Sequence, residues 1–466
     1  MSMFLEGLTD IVGADFIFTD EQTKSDYSKD HSFYSTCTFD VLVKPGSARE
    51  IAAILSLCNR FSKPVTPRGG GTGVTGGALT AKGGVMLSVE RLDRIISIDV
   101  LNRYAIVEAG VITESLCNEI ESKGMYFPVY PGSKAASFIG GNVAENAASP
   151  KSCKYGPIRN FVLNLEVVLP TGEIIWTGEN VHKDVTGINL TQLFIGSEGV
   201  LGVITKVVLR ILPRPTITRT ILTGFRELSD ACNACLELGG LSTAPSSVEL
   251  ITEGAIELTA PFLNTNYPLI SSDLRAHLLI EWEEHPELDI EMVVEIAHGI
   301  LEKYSPADVL VSTTRQEREF LWSLREKIDF AMTMNGFSYR DIDPCVPPAS
   351  LFDFLCEVAN IGKNYGEQII CFGHAMDGNM HTMLLLRDGL QPDFGNKIQL
   401  LLAEIYRAAI YLGGTISGEH GIGCLQQQFL HLQLSEKKLD LMRQIKSVFD
   451  PGHILNPGKM LLDDIA

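Results

Sequence analysis

The chain has 466 residues and a formal net charge of −19, and it is 45% hydrophobic and 20% charged. That length allows two or three domains with a large core, and the composition is that of an ordinary globular protein. The negative charge argues against nucleic acids and anionic membrane surfaces as partners. It would also repel an anionic substrate, so such a substrate would need cations placed locally at its site.

Cysteine usage indicates a reducing environment. Ten cysteines are spread along the chain, which does not resemble a disulfide framework. We interpret the lone C-x-x-C of Cys232 and Cys235 as two half-buried helix cysteines, because no second pair follows at zinc or iron–sulfur spacing. The N-terminal residues have no basic region, and no run of about 18 apolar residues occurs. We therefore expect a cytoplasmic protein with no signal peptide or membrane span.

The first part of the chain leads to a glycine-rich loop. A helical arm and polar loop (1–37), a strand (39–43) and a helix capped by Ser47 precede a strand at 63–66. The loop that follows is Pro67-Arg68-Gly69-Gly70-Gly71-Thr72-Gly73, and it continues to Gly76 and Gly77. Glycine permits positive φ angles, so this loop can turn backbone N–H groups toward a diphosphate. A plain glycine-rich surface loop is the alternative, and the pattern matches neither a P-loop nor a G-x-G-x-x-G turn.

Two more clusters of small residues follow, one at 131–147 and one at 194–205. The first suits close contact with a large planar ligand, although a tightly packed helix start would have the same composition. The other elements predicted here are strands at 85–88, 95–99 and 105–108, a helix from Thr113 to about Gly124, and a hairpin of 158–170 with 173–177. Pro213-Arg214-Pro215 marks the first domain boundary.

Residues 216–414 have a different texture. Helical patterns alternate with extended runs, which predicts an α+β domain with helices on one face of an antiparallel sheet. The predicted helices are 227–238, 289–303, 350–363 and 395–412, and the predicted strands are 246–251, 276–282, 368–373 and 381–386. Residues 415–466 form a C-terminal segment with a helix near 435–449.

The sharpest chemical signal is a pair of histidines around an Asp-Gly turn. If Asp377 and Gly378 form the centre of a two-residue hairpin, His374 faces His381, with Cβ atoms about 5 Å apart. Two such imidazoles can share a metal ion, although a structural histidine pair is the alternative. Glu419 could add a carboxylate and leave an open coordination position, which is typical of catalytic zinc and also suits non-haem iron.

In this order, the motifs resemble those of the FAD-linked dehydrogenases of D-2-hydroxy acids. This family includes D-lactate dehydrogenase, the glycolate oxidase large subunit and D-2-hydroxyglutarate dehydrogenase. The resemblance covers residues 38–461. It rests on Pro67-Arg-Gly-Gly-Gly-Thr-Gly, Gly140-Gly-Asn, Gly196-Ser-Glu-Gly-Val-Leu-Gly, Gly373-His with Asp-Gly-Asn-Met-His, Ser417-Gly-Glu-His-Gly-Ile-Gly and Asn456-Pro-Gly-Lys.

The resemblance implies a fold of the vanillyl-alcohol-oxidase type. It places an FAD-binding domain at 1–215, a substrate or cap domain at 216–414, and a segment that returns to the flavin site at 415–466. FAD would be non-covalent, because the glycine loop lacks the histidine that tethers it in some relatives. The implied cofactor-binding residues are Pro67, Arg68, Gly69, Gly70, Gly71, Thr72, Gly73, Gly76, Pro131, Gly132, Ser137, Gly140, Gly141, Asn142, Ala147, Glu198, Gly202, Ile204 and Asn456.

The implied reaction is metal-assisted oxidation of a D-2-hydroxy acid, with hydride passing to flavin N5. The metal ligands would be His374, His381 and Glu419, and His420 would be the general base. Arg325 matches the family's carboxylate-binding position, although a helix-surface arginine paired with a nearby acid is the alternative. Arg340 stands near a second cation of the relatives. Electrons would leave to a separate acceptor (a quinone, an electron-transfer protein or oxygen), and we expect a homodimer.

Three departures from the family pattern bear on the substrate. Met383 stands where relatives have asparagine, Gln426 where they have lysine, and Asp377 where they have glycine. An acid bulkier or more apolar than lactate is therefore our hypothesis. Two other functions are considered: a flavoenzyme acting on another alcohol or sugar acid, and a non-catalytic FAD-carrying subunit that relays electrons. The paired histidines argue against the former, and Glu419-His420 beside a flavin argues against the latter.

Overall fold

The computed structural model describes residues 3–32, 37–285, 287–386 and 395–461. The chain divides into two compact units. The first unit contains 1–149, 157–213 and 419–466, and the second contains 150–156 and 214–418. The sequence-based boundaries lay at 215 and 414, and the short segment 150–156 was not assigned to the second domain.

The strands of the described chain, in order, are β1 to β18. Their bounds are Ile17–Phe18, Val41–Val43, Val65–Arg68, Val85–Ser88, Ile95–Asp99, Tyr104–Glu108, Met125–Tyr126, Val162–Val168, Ile174–Trp176, Val203–Arg210, Leu212–Pro213, Ile217–Phe225, Ser247–Thr252, Ala276–Glu284, Val309–Ser312, Ser338–Ile342, Gln368–His374 and Asn379–Leu386.

The α-helices are numbered α1 to α16 in the same way. Their bounds are Met3–Val12, Glu21–Tyr27, Ala48–Arg60, Thr113–Ser122, Ile139–Glu145, Ser152–Tyr155, Leu190–Phe194, Leu228–Gly239, Glu253–Thr259, Ile290–Glu302, Arg315–Glu326, Ile328–Met334, Leu351–Tyr365, Asn396–Tyr411, Leu430–Gln433 and Glu436–Phe449. Short 3₁₀ turns occupy Ala14–Phe16, Ile158–Asn160, Ala260–Phe262, Pro348–Ser350 and Gln427–Phe429.

The first unit contains a partly parallel sheet and an antiparallel sheet. In the order β1-β2-β4-β3, strands β2, β4 and β3 run parallel, as expected for runs that are apolar on both faces. Strands β5, β6, β10, β8 and β9 form an antiparallel sheet, and β11 pairs with β7. The predicted cap of α3 is confirmed, because the Ser47 side chain accepts a hydrogen bond from the backbone N–H of Glu50.

The second unit is built on a seven-stranded antiparallel sheet in the order β15-β12-β14-β13-β17-β18-β16. The predicted antiparallel α+β class is confirmed, but the prediction that helices cover only one face is wrong. A Cβ on Gly254 of α9 would touch Ile370, whereas one on Gly362 of α13 would touch Ile369. Neighbouring strand residues point to opposite faces, so helices cover both. The run of strand residues apolar on both faces is the physical reason.

Helix α8 carries the C-x-x-C pair. Cys232 and Cys235 both lie on the helix, as predicted, but they are fully buried and not half-buried. Burial raises the pKa of the Cys232 thiol to about 12, so it stays protonated and unreactive. All ten cysteines are free thiols. Among the described helices, none is long and apolar enough to cross a membrane.

His277 on β14 is expected to make the stability of the second unit depend on pH. The imidazole is fully buried, and its Nε2 lies 2.8 Å from the backbone oxygen of Leu269. Burial lowers the pKa of His277 from 6.5 to about 4. The neutral form is therefore favoured in the folded state, so stability is complete above the unfolded pKa. It falls as the pH drops from there toward the folded pKa.

We expect the wild type to lose about 3 kcal/mol more unfolding free energy than His277→Gln between pH 7 and pH 4. Urea unfolding of both proteins across that range measures the difference. His298→Gln is the control, because His298 is about half exposed on α10. Parallel pH profiles for the wild type and His277→Gln would contradict the assignment.

Candidate functional site

The glycine loop follows β3 in the first unit and packs against the small-residue cluster at 131–147. Gly71 and Gly76 have φ angles of 68° and 79°, in the left-handed region that favours glycine. A Cβ on Gly70 would overlap the carbonyl oxygen of Ala136, and one on Gly69 would lie 3.5 Å from the Cα of Gly141. The two glycine-rich stretches therefore meet through their backbones, and side chains would separate them.

Arg68 is directed into the protein and supports the loop from within. Its Nη2 donates to the backbone oxygen of Lys29 at 2.7 Å, and its guanidinium lies 5.5 Å from the ring centroid of Tyr27. A Cβ on Gly71 would overlap this guanidinium. We conclude that Arg68 shapes the loop through these protein contacts.

Thr113 connects two of the predicted cofactor residues, although sequence analysis predicts for it only the start of a helix. Its Oγ1 lies 2.8 Å from Ser137 Oγ and accepts a 2.7 Å hydrogen bond from Asn142 Nδ2. All three residues are buried. This network fixes the start of α5, which contains Gly140 and Gly141. The signal available in the sequence was weak, because an N-terminal helix threonine is common.

Glu198 holds the loop that carries His420. Its carboxylate accepts hydrogen bonds from the backbone N–H groups of Ile422 and Gly423, at 2.7 and 2.6 Å. Thr75 Oγ1 donates to the backbone oxygen of His420 at 3.2 Å. The predicted cofactor residue Glu198 thus orders the Gly421-Ile422-Gly423 turn, and burial raises its pKa. Within this loop His420 Nε2 lies 3.7 Å from Glu419 Oε1.

Residues near the C-terminus close the glycine loop from another side. The backbone N–H of Asn456 donates to Val65 at 2.6 Å, and its side-chain amide donates to the backbone oxygen of Glu198 at 2.6 Å. Lys459 Nζ donates to the backbone oxygens of Gly77 (2.9 Å) and Leu79. Segment 455–459 therefore links the glycine loop to the turn at Glu198.

Two glycines of the loop provide a matched pair of alanine substitutions. Gly70→Ala should destabilise the apoprotein by about 1–3 kcal/mol, because its Cβ overlaps the Ala136 carbonyl. No described atom lies within 4 Å of a Cβ on Gly73, so Gly73→Ala should change apoprotein stability by less than about 0.5 kcal/mol. If this loop holds the diphosphate, Gly73→Ala should still weaken FAD binding. Thermal unfolding of the apoproteins and FAD titration measure the two effects. Equal FAD affinity in the wild type and Gly73→Ala would contradict the assignment of this loop to the FAD diphosphate.

The two predicted metal histidines lie on one face of the β17–β18 hairpin in the second unit. The predicted register is wrong, because His374 pairs with Asn379 and His381 pairs with Phe372. The turn is longer than two residues, since the backbone N–H of Gly378 bonds to Ala375. The imidazoles nevertheless lie diagonally across the strands, with ring centroids 5.4 Å apart. Both side chains are buried.

A third residue, which sequence analysis missed, joins the pair to Arg325. Glu249 on β13 pairs directly with His374 and is fully buried. Its Oε1 lies 2.5 Å from His374 Nδ1, and its Oε2 accepts from Arg325 Nε at 2.7 Å. Burial by itself would raise the pKa of Glu249, but His374 and Arg325 outweigh it and lower the pKa to about 2, so the carboxylate is ionised. A glutamate inside an apolar strand, Ser247-Val-Glu-Leu-Ile, was the available signal.

Arg325 lies on α11 and is held by two groups. Besides Glu249, its guanidinium lies over Phe372, 4.5 Å from the ring centroid. No described residue accepts a hydrogen bond from its Nη1 or Nη2 atoms, which form the outer edge of the fork. Arg325 therefore pairs with an acid, as the alternative interpretation had it, and its role in binding a substrate carboxylate stays a prediction.

The structure separates Arg340 from the histidine pair. On β16, Arg340 pairs with Leu384 and Asp341 pairs with Met383, which shares the face of His381. Asp341 Oδ1 lies 4.0 Å from His381 Nδ1. Arg340 points to the other face, where it lies near Tyr406 of α14. Asp341 therefore shares the sheet face of His381, and the substrate-binding role of Arg340 stays a prediction.

The histidine pair fits a divalent metal by its chemistry. Because an ionised carboxylate only accepts hydrogen bonds, His374 carries a proton on Nδ1, and Nε2 is the nitrogen that would coordinate a metal ion. Gly418 is the last residue of the second unit. Its backbone N–H donates a hydrogen bond to the backbone oxygen of Asp343 at 2.8 Å. Glu419 is the next residue in the chain. Its assignment as a metal ligand stays a prediction. In the first unit, the loop at 69–73, with four glycines in five residues, fits FAD.

Comparison with known proteins identifies the chain's relatives. Residues 214–460 match the family model for the C-terminal domain of FAD-linked oxidases, and residues 39–178 match an FAD-binding domain. The chain belongs to the FAD-linked oxidases. The resemblance inferred from the motifs is thereby confirmed, and this FAD-linked oxidase is a flavoprotein oxidoreductase.

Two relatives and one solved structure illustrate what the chain is similar to. The glycolate oxidase subunit GlcD of Bacillus subtilis (strain 168) is 34% identical over 91% of this chain and 89% of its own. The D-lactate dehydrogenase of Archaeoglobus fulgidus is 36% identical over 90% and 91%. The 4-ethylphenol oxidase of Gulosibacter chungangensis, at 18% identity, covers 98% of this chain and 96% of its own with a TM-score of 0.78. The last comparison confirms the predicted vanillyl-alcohol-oxidase type of fold.

Proposed function

We propose that this FAD-linked oxidase converts a D-2-hydroxy acid to the 2-oxo acid with the help of a divalent metal ion. The observation that carries the proposal is the contact set His374–Glu249–Arg325. It joins a metal-binding type of side chain and an anion-binding type of side chain through one buried carboxylate. The names of the relatives, a glycolate oxidase subunit and a D-lactate dehydrogenase, support the same substrate class.

Arg325 is the proposed binder of the substrate carboxylate. Its outer Nη edge matches a carboxylate in two parallel hydrogen bonds, and Phe372 restricts the plane of the guanidinium. This local cation is needed because the chain as a whole carries a charge of −19. The partly buried position strengthens the pairing by excluding water.

His374, His381 and Glu419 are the proposed metal ligands. When bound, FAD accepts the C2 hydride and the metal stabilises negative charge on the substrate oxygen. His420 is the proposed general base for the hydroxyl proton. The contacts from Glu198 and Thr75 order its loop, so the imidazole is carried on a defined backbone.

The remaining predictions concern the cofactor, the acceptor and the substrate. FAD is proposed to be non-covalent, with Gly69 to Gly73 around its diphosphate, and electrons are proposed to pass to a separate acceptor. Met383, one of the departures from the family pattern, is buried in the apolar cluster that also contains Phe372. An acid bulkier or more apolar than lactate remains the proposed substrate, on the ground of the departures from the family pattern.

The test is anaerobic reduction of the purified flavoprotein. D-lactate, D-2-hydroxyglutarate and a D-2-hydroxy acid with a longer alkyl chain are added before and after chelation, and the flavin absorbance is followed. We expect bleaching that is lost with the chelator and restored by zinc or manganese. Bleaching that is unaffected by chelation would remove the metal from the proposal, and no bleaching by any of these acids would overturn the substrate class.

A further inference from the structure

Each of the two carboxylate oxygens of Glu249 has its own partner, and the two partners come from different elements. Oε1 meets His374 on β17, and Oε2 meets Arg325 on α11. The carboxylate is fully buried, so these side chains replace water as its solvation. Removing the charge would affect both partners together.

We propose that Glu249 is a positioning residue that fixes the metal-binding histidine and the substrate-binding arginine relative to each other. The inference rests on the proposed function, because it assigns Glu249 to the same site. Neither a contact with substrate nor a proton transfer is ascribed to it. Its effect passes through His374 and Arg325.

The effect on His374 follows from hydrogen-bond chemistry. With Nδ1–H donating to Oε1, the Nε2 lone pair is the one directed away from Glu249, and the ring cannot rotate without losing a buried hydrogen bond. A carboxylate in this position also increases the basicity of the imidazole. Metal affinity should therefore depend on Glu249 even though its oxygens are both engaged elsewhere.

The effect on Arg325 follows from the shape of the guanidinium. Glu249 takes the Nε hydrogen, and Phe372 lies against one face. These two contacts leave the Nη1–Nη2 edge as the one available to an incoming carboxylate. Without Glu249, the arginine could rotate and its preferred anion position would move away from His374.

Glu249→Gln is the diagnostic substitution. It keeps the side-chain shape, but its amide has one acceptor oxygen and an NH₂ group, whereas both neighbours are donors. One contact must break. Glu249→Asp keeps the charge and withdraws it by one methylene, so it serves as the second variant if the glutamine protein does not fold. Glu281→Gln is the matched control: Glu281 is another fully buried acid on the same sheet, but its partners are Arg318, Trp322 and Thr220.

Two readouts are measured on the FAD-loaded, metal-stripped protein. Free Mn²⁺ is counted by electron paramagnetic resonance, and oxalate, a dianion that cannot be oxidised by hydride loss, is titrated against the flavin spectrum. We expect Glu249→Gln to weaken Mn²⁺ binding about 10- to 100-fold, with weaker oxalate binding as well. Glu281→Gln should leave both affinities within about threefold. The effects of Glu249→Gln and Arg325→Ala on oxalate binding should be non-additive, because one acts through the other.

The outcomes separate this inference from the proposed function. If the wild type binds Mn²⁺ and Glu249→Gln binds it equally well, the positioning role is wrong and the proposed function survives. If Glu249→Gln and Glu281→Gln weaken Mn²⁺ binding equally, the effect is general loss of structure and the positioning role is again wrong. If the wild type itself binds no Mn²⁺, the metal-assisted function fails first and the inference falls with it.

Discussion

His381→Ala should lower the rate of flavin reduction by a D-2-hydroxy acid about 1,000-fold. A Lewis-acidic ion contributes several kcal/mol to stabilising a developing alkoxide, and about 4 kcal/mol corresponds to three powers of ten in rate. The substitution removes one of two imidazoles whose centroids are 5.4 Å apart, but it leaves the Glu249 contacts with His374 and Arg325 in place. Substrate binding through Arg325 should therefore be affected much less than the hydride step.

The measurement is anaerobic stopped-flow reduction at saturating substrate, combined with metal analysis of the purified variant. His298→Ala is the control, because its imidazole is about half exposed on α10. The assignment would be contradicted if His381→Ala kept both its metal and its rate. If His381→Ala lost its metal but kept its rate, the ion would have a structural role and no role in the hydride step.

Arg325→Lys should raise KM for the acid about 100-fold, with a smaller effect on kcat. Lysine keeps the charge but has a single ammonium in place of a planar fork, so it cannot satisfy Glu249 and a substrate carboxylate in the same geometry. About 3 kcal/mol for the lost two-point contact corresponds to that factor. Because the carboxylate is bound in both ground and transition states, the loss should appear mainly in KM.

Helix α11 supplies the control for this substitution. Arg318 lies seven residues earlier, on the same helix face, and its guanidinium pairs with the buried Glu281. Arg318→Lys makes the same chemical change away from the histidines and should alter KM by less than about threefold. Similar KM values for Arg325→Lys and the wild type would reassign Arg325 to a purely structural ion pair with Glu249.

Local sequence signals were enough to predict most single elements. Helix and strand patterns depend on spacing within a few residues, so α3, α13 and β4 lie close to where the periodicity placed them. The two histidines lie on the same sheet face, as predicted, although the predicted strand register is wrong. The observed pairing differs from the predicted one by an even number of residues, which preserves the sheet face, whereas a one-residue slip would have turned one imidazole away.

Residues that act through distant pairings could not be predicted in this way. Glu249 reaches His374 because β13 lies beside β17, and these strands are separated by more than 100 residues. The choice between Arg340 and Asp341 depends on the register of β16 against β18, which no local pattern reveals. The direction of Arg68 likewise depends on Lys29 and Tyr27, which belong to a different part of the chain.

The link that segment 455–459 makes to the glycine loop has a consequence for biosynthesis. Asn456 and Lys459 contribute contacts to the segment from Val65 to Leu79, so the chain up to Lys459 must leave the ribosome before these contacts can form. If this loop holds FAD, its binding site is therefore complete only after residues 455–459 have been synthesised. A nascent chain stalled before residue 455 should therefore have a glycine loop that lacks the contacts of Asn456 and Lys459.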